Sequence, residues 1–134
     1  MARLATRQWV LASIFVAGLV FCTTLVHAKA PAKDAGGDAY GTVTLAQLPA
    51  QGRETYALIF QGGPFPYDKD GVVFGNRERL LPVRVRGYYH EYTVRTPGSR
   101  NRGARRIACG GPMKNPEVCY YSDDHYASFR KIVP

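Results

Sequence analysis

Two carboxylates stand among nine arginines in residues 74–106, and this contrast is the first sign of chemistry in the chain. The arginines are Arg77, Arg79, Arg84, Arg86, Arg95, Arg100, Arg102, Arg105 and Arg106, with Phe74, Tyr88, Tyr89 and Tyr92 interleaved. A planar guanidinium suits two-point contact with phosphate oxygens, so a polyanion with flat bases is the natural partner of such a stretch. Glu78 and Glu91 add nothing to the affinity for a polyanion and require a specific explanation.

Glu91 is the candidate general base. The alternation over residues 88–95 predicts a strand whose side chains point to opposite faces, with Tyr89, Glu91 and Thr93 on one and His90, Tyr92 and Val94 on the other. If the face of Glu91 is open, its carboxylate points from a rigid strand into a basic groove and can accept a proton there. The alternative is a surface glutamate paired with an arginine of the next strand.

His125 is the candidate acid–base imidazole, because histidine exchanges protons near neutral pH. It follows two aspartates and precedes Tyr126. His27 lies in the apolar N-terminal segment, and His90 alternates to the face opposite Glu91. The alternative is a turn histidine without a catalytic task.

Arg102 and Arg106 are the basic residues best placed to bind a pentavalent phosphorus centre. Arg102 lies in a predicted loop, and Arg106 lies in the strand predicted to run antiparallel to that of Glu91. A general phosphate-binding patch is the alternative interpretation.

Glu78 is the candidate for reading a base. A carboxylate can accept hydrogen bonds from N1–H and the exocyclic N2–H of guanine, a donor pair that no other common base offers. Backbone amides of the surrounding Asn/Gly-rich turn can serve O6, and Phe74 or a nearby tyrosine can stack on the ring. A solvated loop glutamate is the alternative.

The combination of a base, an acid and two arginines, without a metal-binding cluster, indicates cleavage of RNA. RNA carries its own nucleophile in the 2′-hydroxyl, so the chemistry requires neither a metal-activated water nor a cofactor.

The elements that must position these residues are one helix and several strands. Pro49 in the first turn, an apolar face of Tyr56, Leu58, Ile59 and Phe60, and a stop at Gly62-Gly63 predict the helix, with Thr44 as the cap of a slightly earlier start. Further strands are predicted from Val72 onward and over residues 105–109, 118–121 and 126–133, separated by turns rich in Pro and Gly. Short connections favour an antiparallel meander, so the fold class is α+β, with one N-terminal helix packed on one face of an antiparallel β-sheet and the other face open.

The N-terminus predicts export. Arg3 and Arg7 precede a largely apolar run, and Val26-His27-Ala28 ends in the small residue that a signal peptidase requires. We expect a signal peptide over residues 1–28, with an uncleaved membrane anchor as the alternative. Residues 29–40 predict a flexible lead-in, and residues 41–134 the folded domain.

Charge and cysteines fit an exported, basic domain. The whole chain carries a net charge of +8, and +6 remains after residues 1–28, because these hold two arginines and no acidic residue. Cys22 would leave with the signal, so Cys109 and Cys119 are an even pair in an oxidising compartment, for which a disulfide is the default.

A series of short motifs closely resembles the small secreted guanyl-specific ribonucleases of bacteria, the barnase-like group, and above all its streptomycete branch. The motifs are PFPY (64–67), DGVVF (70–74), NRE (76–78), LP (81–82), YYHEYTV (88–94), TPG (96–98), RG (102–103), RRI (105–107) and DHY (124–126). The resemblance covers residues 41–133, with order and spacing kept throughout. It implies the microbial ribonuclease fold and a guanyl-specific endoribonuclease that cleaves single-stranded RNA.

The resemblance also implies a role for each site residue. Glu91 matches the general base, His125 the general acid, and Arg102 and Arg106 the phosphate-binding pair. Glu78 matches the guanine-reading carboxylate, the main chain around Asn76 and Arg77 completes the base site, and Phe74 and Tyr126 line it. The family uses no metal, and a small acidic, barstar-like protein inhibits some members.

Two departures from the family stand out. Thr44 occupies the position of an early cysteine, and the C-terminal partner cysteine is absent, so Cys109 and Cys119 offer a different link, with a metal pair or a reactive thiol as the alternatives. Gly75 stands where a polar side chain is common. Two alternatives to a foraging enzyme stay open, which are a non-catalytic, basic nucleic-acid-binding protein and the same ribonuclease chemistry used as an antibacterial toxin.

Overall fold

The computed structural model describes residues 40–134. The predicted signal peptide, with Cys22 and His27, and the predicted lead-in as far as residue 39 lie outside these residues. Among the described residues, no helix has both the length and the apolar character needed to cross a membrane.

The described part of the chain folds into one α-helix and six strands. The elements are β1 (Gly41–Thr44), α1 (Ala50–Gln61), β2 (Val72–Val73), β3 (Tyr89–Thr93), β4 (Arg106–Gly110), β5 (Val118–Ser122) and β6 (Arg130–Val133), with a short 3-10 turn over Leu45–Gln47 between β1 and α1. The strands form one sheet in the order β1-β6-β5-β4-β3-β2. The predicted α+β class is confirmed.

The sheet is antiparallel from β2 to β6, as the short connections predict. Two features differ from the prediction. The first is β1, which the sequence pattern does not predict and which pairs with β6 in parallel, with Val43 opposite Ile132. The second is the final strand, which begins at Arg130 and not at Tyr126, because His125 and Tyr126 adopt left-handed backbone angles that a strand excludes.

Local sequence sets both ends of α1. Pro49 stands at the N-cap, where its missing N–H costs no hydrogen bond, and Gly62 ends the helix with a φ of 81°. Thr44 does act as a cap, but for the 3-10 turn, in which its hydroxyl accepts from the backbone N–H of Gln47.

The helix packs on the sheet through fewer apolar residues than predicted. Ile59 is fully buried, and the Thr55 hydroxyl donates to the carbonyl of Thr93 at 3.2 Å, which ties the helix to β3. Phe60 was expected on the same face but is 40% exposed. Adjacent helical residues point about 100° apart, so Ile59 and Phe60 do not both face the sheet.

Both faces of the sheet carry apolar clusters. The helix covers the first, which includes Tyr92, Val94 and Ile107. The predicted open face is in part covered as well, because Leu81 and Phe129 pack there on Tyr89, Ala108 and Tyr120. Only the end of this face near Glu91 and Arg106 is polar, and this end forms the candidate site.

The disulfide between Cys109 and Cys119 is present, as predicted. The two cysteines are directly opposite on β4 and β5, with Cα atoms 4.1 Å apart. Both are buried in the helix-side cluster and therefore on the sheet face opposite Glu91.

Candidate active site

Glu91 lies in the middle of β3, with Ala108 of β4 on one side and Val72 of β2 on the other. The strand holds the carboxylate rigidly, and its side chain is only 14% exposed. Its Oε1 lies 3.3 Å from a terminal guanidinium nitrogen of Arg102, and its Oε2 accepts a hydrogen bond of 2.8 Å from the hydroxyl of Tyr126. The acceptor groups are held in place by two donors and remain partly open to solvent.

Arg106 is a buried cation, 3% exposed, on the same sheet face as Glu91. One of its terminal nitrogens donates to three carbonyl oxygens of the preceding loop, those of Arg102 (3.3 Å), Gly103 (2.8 Å) and Arg105 (2.8 Å). Its Nε donates to the Tyr126 hydroxyl at 3.0 Å. These bonds satisfy the buried guanidinium and fix the loop that carries Arg102.

Arg102 is oriented from the same strand that carries Glu91. Its Nε donates to the Thr93 hydroxyl at 2.9 Å, and the ion pair with Glu91 uses a second nitrogen of the same guanidinium. The strand alternation, which puts Thr93 and Glu91 on one face, explains how one arginine contacts both.

His125 and Tyr126 sit in a turn with φ values of 57° and 69°. Two consecutive left-handed residues other than glycine are uncommon, and side-chain hydrogen bonds hold this turn. The Ser122 hydroxyl accepts from the backbone N–H of Tyr126 at 3.0 Å, and Asp124 accepts from the backbone N–H of Ser128 at 2.9 Å. Hydrogen bonds from Ser128 hold the pKa of Asp124 down, from its usual 3.8 to about 2.

His125 itself is exposed beside a cavity of about 420 Å³, whose other lining residues are Asn101, Arg102, Gly103, Ala104 and Arg106. Its backbone N–H donates to the carbonyl of Ala104 at 3.1 Å, which joins the histidine turn to the arginine loop. The lining contains two guanidinium groups and one imidazole and no carboxylate. Such a lining favours an anion over a cation.

Tyr126 links the cavity to the candidate base site. Its ring stacks on Phe74, with centroids 5.2 Å apart and planes inclined by 22°. Its hydroxyl contacts Glu91 and Arg106, and burial raises the pKa of this hydroxyl to about 12, with the hydrogen bond to Glu91 as a further cause. Tyr126 was predicted only to line the base site. The structure also makes it a positioning residue for the acidic and basic groups.

The candidate base site is a groove of about 690 Å³, lined by residues 73–79 and 83–86 together with Tyr89. It brings together four of the predicted residues, Phe74, Asn76, Arg77 and Glu78. Glu78 is exposed and forms no ion pair with any residue in 40–134. Its carboxylate is available for a ligand.

Asn76 shapes the groove through its backbone and not through a free side chain. Its amide nitrogen donates to the carbonyl of Leu81 at 2.8 Å, and its amide oxygen accepts from the N–H of the same residue at 3.0 Å. With φ at 44°, it turns the chain so that residues 76–78 face the groove. This fits the expectation that the main chain at Asn76 and Arg77 serves the base.

His90 lies on the face opposite Glu91, as the alternation predicts, and outside both cavities. Burial lowers its pKa, so its neutral form is favoured. In residues 40–134, no group of three or more His, Cys, Asp or Glu side chains is arranged to hold a metal ion.

Sequence reasoning missed the residues that orient the site. Thr93 directs Arg102, and Ser122 and Asp124 hold the turn of His125. Thr93 had a detectable signal, because it shares a strand face with Glu91. Asp124 stands in the DHY motif, but the motif gave it no role, and Ser122 had no signal, since the left-handed turn that they support is not marked by any glycine.

Three known proteins with similar sequences are ribonucleases. A ribonuclease family model matches residues 29–133. The chain is 54% identical over 95 residues to guanyl-specific ribonuclease Sa of Kitasatospora aureofaciens, covering 71% of this chain and 96% of the relative. It is 49% identical over 105 residues to guanyl-specific ribonuclease St of Saccharopolyspora erythraea, covering 78% and 98%.

A third relative is longer. Guanyl-specific ribonuclease Sa3 of Kitasatospora aureofaciens is 57% identical over 94 residues, which are 70% of this chain but only 64% of the relative. The match therefore spans less than two thirds of the length of that protein.

Solved structures with the same fold contain guanine nucleotides. Ribonuclease Sa2 with guanosine-2′-cyclophosphate has a TM-score of 0.65 and 50% identity, covering 72% of this chain and 98% of that one. Ribonuclease Sa2 with 3′-GMP has a TM-score of 0.62 and 48% identity, covering 70% and 97%. Fold, site and sequence similarity agree, and the chain belongs to the ribonuclease family.

Proposed function

We propose that this protein is a guanyl-specific endoribonuclease that cleaves single-stranded RNA on the 3′ side of guanosine. The observation that carries the proposal is a cavity lined by two arginines and a histidine, with the Glu91 carboxylate joined to Arg102 directly and to Arg106 through Tyr126. A groove with an unpaired carboxylate, that of Glu78, lies on the other side of Tyr126 and Phe74. The relatives named guanyl-specific ribonucleases support the base preference.

The first step is a transphosphorylation. Glu91 takes the proton of the guanosine 2′-hydroxyl, and the 2′-oxygen forms a bond to phosphorus. The bond from phosphorus to the 5′-oxygen of the next nucleotide breaks, and this oxygen takes a proton from His125. The product is a 2′,3′-cyclic phosphate.

The second step reverses the proton transfers. His125 takes a proton from water, the water oxygen attacks phosphorus, and the 2′-oxygen leaves with a proton from Glu91. Arg102 and Arg106 stabilise the negative charge on the phosphoryl oxygens in both steps, because their guanidinium groups are fixed before the substrate arrives. The final product is a guanosine 3′-phosphate.

Base recognition is assigned to the groove. Glu78 accepts from N1–H and N2–H of guanine, main-chain amides near Asn76 and Arg77 donate to O6, and Phe74 offers a stacking surface backed by Tyr126. Adenine lacks the N1–H and N2–H donors, so it would leave the Glu78 carboxylate without partners.

The decisive experiment compares two short RNAs, one with a single GpU step and one with ApU, in excess EDTA, with products identified by mass spectrometry. We expect a cut only at GpU, first to a 2′,3′-cyclic phosphate and then to a 3′-phosphate. Equal cleavage at GpU and ApU would contradict the proposed guanine preference but would support the proposed reaction. No cutting by folded protein would favour a non-catalytic nucleic-acid-binding protein.

The remaining expectations about the chain are proposals of the same kind. The apolar segment before Ala28 supports export and removal of residues 1–28. The mass of the protein recovered outside the cell tests this proposal.

The cationic cavity supports inhibition by a small acidic protein. Co-purification with such a protein from the producing cell tests this proposal. A monomer is expected, which light scattering tests.

A further inference from the structure

The groove that holds Glu78 extends beyond the space that one base requires. Cavities of roughly 300–1,000 Å³ bind whole drug-sized ligands, and this groove has about 690 Å³. One wall consists of residues 73–79, to which we assigned guanine. The other wall is the segment 83–86, of sequence Val-Arg-Val-Arg, which the proposed reaction does not use.

The segment 83–86 has the surface chemistry of a nucleic-acid contact. Val83 is 74% exposed and Val85 is 80% exposed, so two apolar side chains face solvent beside Arg84 and Arg86. Among residues 40–134, ion pairs occur only at Arg102 and Arg130, so both arginines of the segment are free of carboxylates. Unpaired arginines next to exposed apolar surface suit a phosphate and the flat face of a base.

Arg84 contacts an aromatic ring that is itself fixed by its neighbours. Its guanidinium lies 5.2 Å from the centroid of the Tyr88 ring. The Tyr88 hydroxyl donates to Glu117 at 2.8 Å, and the ring lies over Gly110, where a Cβ atom would collide with it. The tyrosine is therefore fixed and orients the arginine.

The direction of the RNA assigns the segment to one side of the guanosine. Phe74, in the groove, stacks on Tyr126, whose hydroxyl contacts Arg106 in the anion cavity. A guanosine with its base in the groove and its 3′-phosphate in that cavity sends the downstream strand out through the cavity. None of residues 83–86 lines the cavity, so the free part of the groove is left to the upstream strand.

We propose that residues 83–86 form a subsite for the nucleotide on the 5′ side of the guanosine, with Arg84 and Arg86 binding the phosphate that joins the two nucleotides. This inference rests on the proposed guanyl-specific cleavage. It assigns to the groove a second task, which is to favour guanosines inside a strand over guanosines at a 5′ end.

The test compares kcat/KM for GpU, pGpU and UpGpU. We expect the wild-type protein to cleave pGpU and UpGpU about tenfold faster than GpU, the effect of one or two charge-assisted contacts. The double variant Arg84→Ala/Arg86→Ala is expected to lose this tenfold advantage, with a much smaller change in its cleavage of GpU. All four residues of the segment are exposed, so the variant should keep its melting temperature.

The matched control is Lys69→Ala/Lys131→Ala, which removes two exposed positive charges outside the groove and the cavity. It should keep the tenfold advantage, since a distant charge contributes only through a screened field. The proposal is overturned if wild-type protein shows no advantage for pGpU, if the Arg84/Arg86 variant loses GpU cleavage to the same extent, or if the control loses the advantage as well.

A binding measurement separates this proposal from the proposed reaction. Fluorescence anisotropy of a labelled UpGpU containing 2′-deoxyguanosine, which has no nucleophile, should show about tenfold weaker binding to the Arg84/Arg86 variant than to wild type. Equal binding overturns the subsite even if GpU is cleaved. Absence of GpU cleavage together with weaker binding by the variant would overturn the reaction and support the subsite.

Discussion

At the scale of single residues, the hydroxyl of Tyr126 connects the groups that the proposed reaction uses. It donates to Glu91 at 2.8 Å and accepts from Arg106 at 3.0 Å, so it bridges an anion and a buried cation. The bridge holds the carboxylate 3.3 Å from Arg102 on its other side. The site is thus organised before substrate binds, which is the condition for electrostatic stabilisation of a transition state.

Replacement of Glu91 by Gln tests the base. The amide keeps the size of the side chain and can still accept from Tyr126, but it cannot take a proton. We expect kcat/KM for GpU to fall about 10²–10⁴-fold, with the acidic limb of the pH–rate profile lost. Glu54→Gln, at an exposed position of α1, is the control and should keep wild-type activity. A Glu91→Gln variant with the wild-type rate would exclude Glu91 as the base.

Replacement of Glu78 by Gln tests base recognition separately from catalysis. The loss of a charged acceptor should lower the GpU/ApU ratio of kcat/KM about 10–100-fold, because hydrogen bonds to charged groups contribute more than neutral ones. Most of the change is expected in GpU, and folding should be unaffected at this exposed position. The measurement is kcat/KM for the cleavage of GpU and of ApU by wild-type protein and by the variant. An unchanged GpU/ApU ratio would show that Glu78 does not bind guanine.

At the scale of elements, the turn that carries His125 depends on Asp124. Because hydrogen bonds from Ser128 lower its pKa to about 2, the folded state binds the proton less tightly than the unfolded chain does. The stabilisation is therefore complete above about pH 4 and is lost as the pH falls from about 4 to 2.

The variant Asp124→Asn measures this contribution. Wild-type protein should be more stable than the variant to urea at neutral pH, and the difference should shrink as the pH falls below about 4. Asp68→Asn, at an exposed position that holds no ion pair among residues 40–134, is the control. A difference that stays constant down to pH 2 would show that the carboxylate charge of Asp124 is not what holds the turn.

The disulfide belongs to the scale of elements as well, since it joins β4 to β5. It closes a loop with a sequence separation of 10. The variant Cys109→Ala/Cys119→Ala should therefore lose about 2–3 kcal/mol of unfolding free energy, measured by urea denaturation. Activity in the absence of denaturant should persist, because both cysteines face away from Glu91. Equal stability of the two proteins would contradict this role.

The sequence predicted some secondary-structure elements well and others poorly. The strand of Glu91 was predicted well, because its alternation is strict and both faces are constrained. The strand β1 was missed, because four residues of mixed character acquire their conformation from pairing with β6, at the opposite end of the chain. The start of β6 was misplaced, because the turn before it is held by side-chain hydrogen bonds to Ser122 and Asp124.

At the scale of the whole molecule, charge is the dominant feature. Residues 40–134 contain 14 Lys and Arg and 8 Asp and Glu, a net charge of +6. A net positive charge favours association with a polyanion, which agrees with the RNA substrate proposed above. Charge of this kind does not select a base or a reaction, so the proposal assigns these two tasks to the carboxylates of Glu78 and Glu91.

The salt dependence of activity follows from this charge. For a long single-stranded RNA, log(kcat/KM) should fall linearly with log salt, with a slope of about −0.7 for each phosphate that the protein neutralises. For GpU, which has one phosphate, the slope should be much smaller. Steady-state rates at several salt concentrations measure both, and equal slopes would show that only the scissile phosphate is bound.

The sequence by itself determined the fold class, the disulfide, the strand of Glu91 and the identities of the candidate site residues. The fold class and the strand of Glu91 follow from short-range patterns along the chain. The disulfide and the candidate site residues follow from residue types that have few alternative roles. Only the tertiary structure decided how the candidates meet. It showed that Tyr126 bridges Glu91 and Arg106, that Asn76 is occupied by Leu81, and that residues 83–86 share a groove with Glu78. These contacts join residues from separate segments, and the packing of the sheet and its loops, not the local sequence, sets the distances between them.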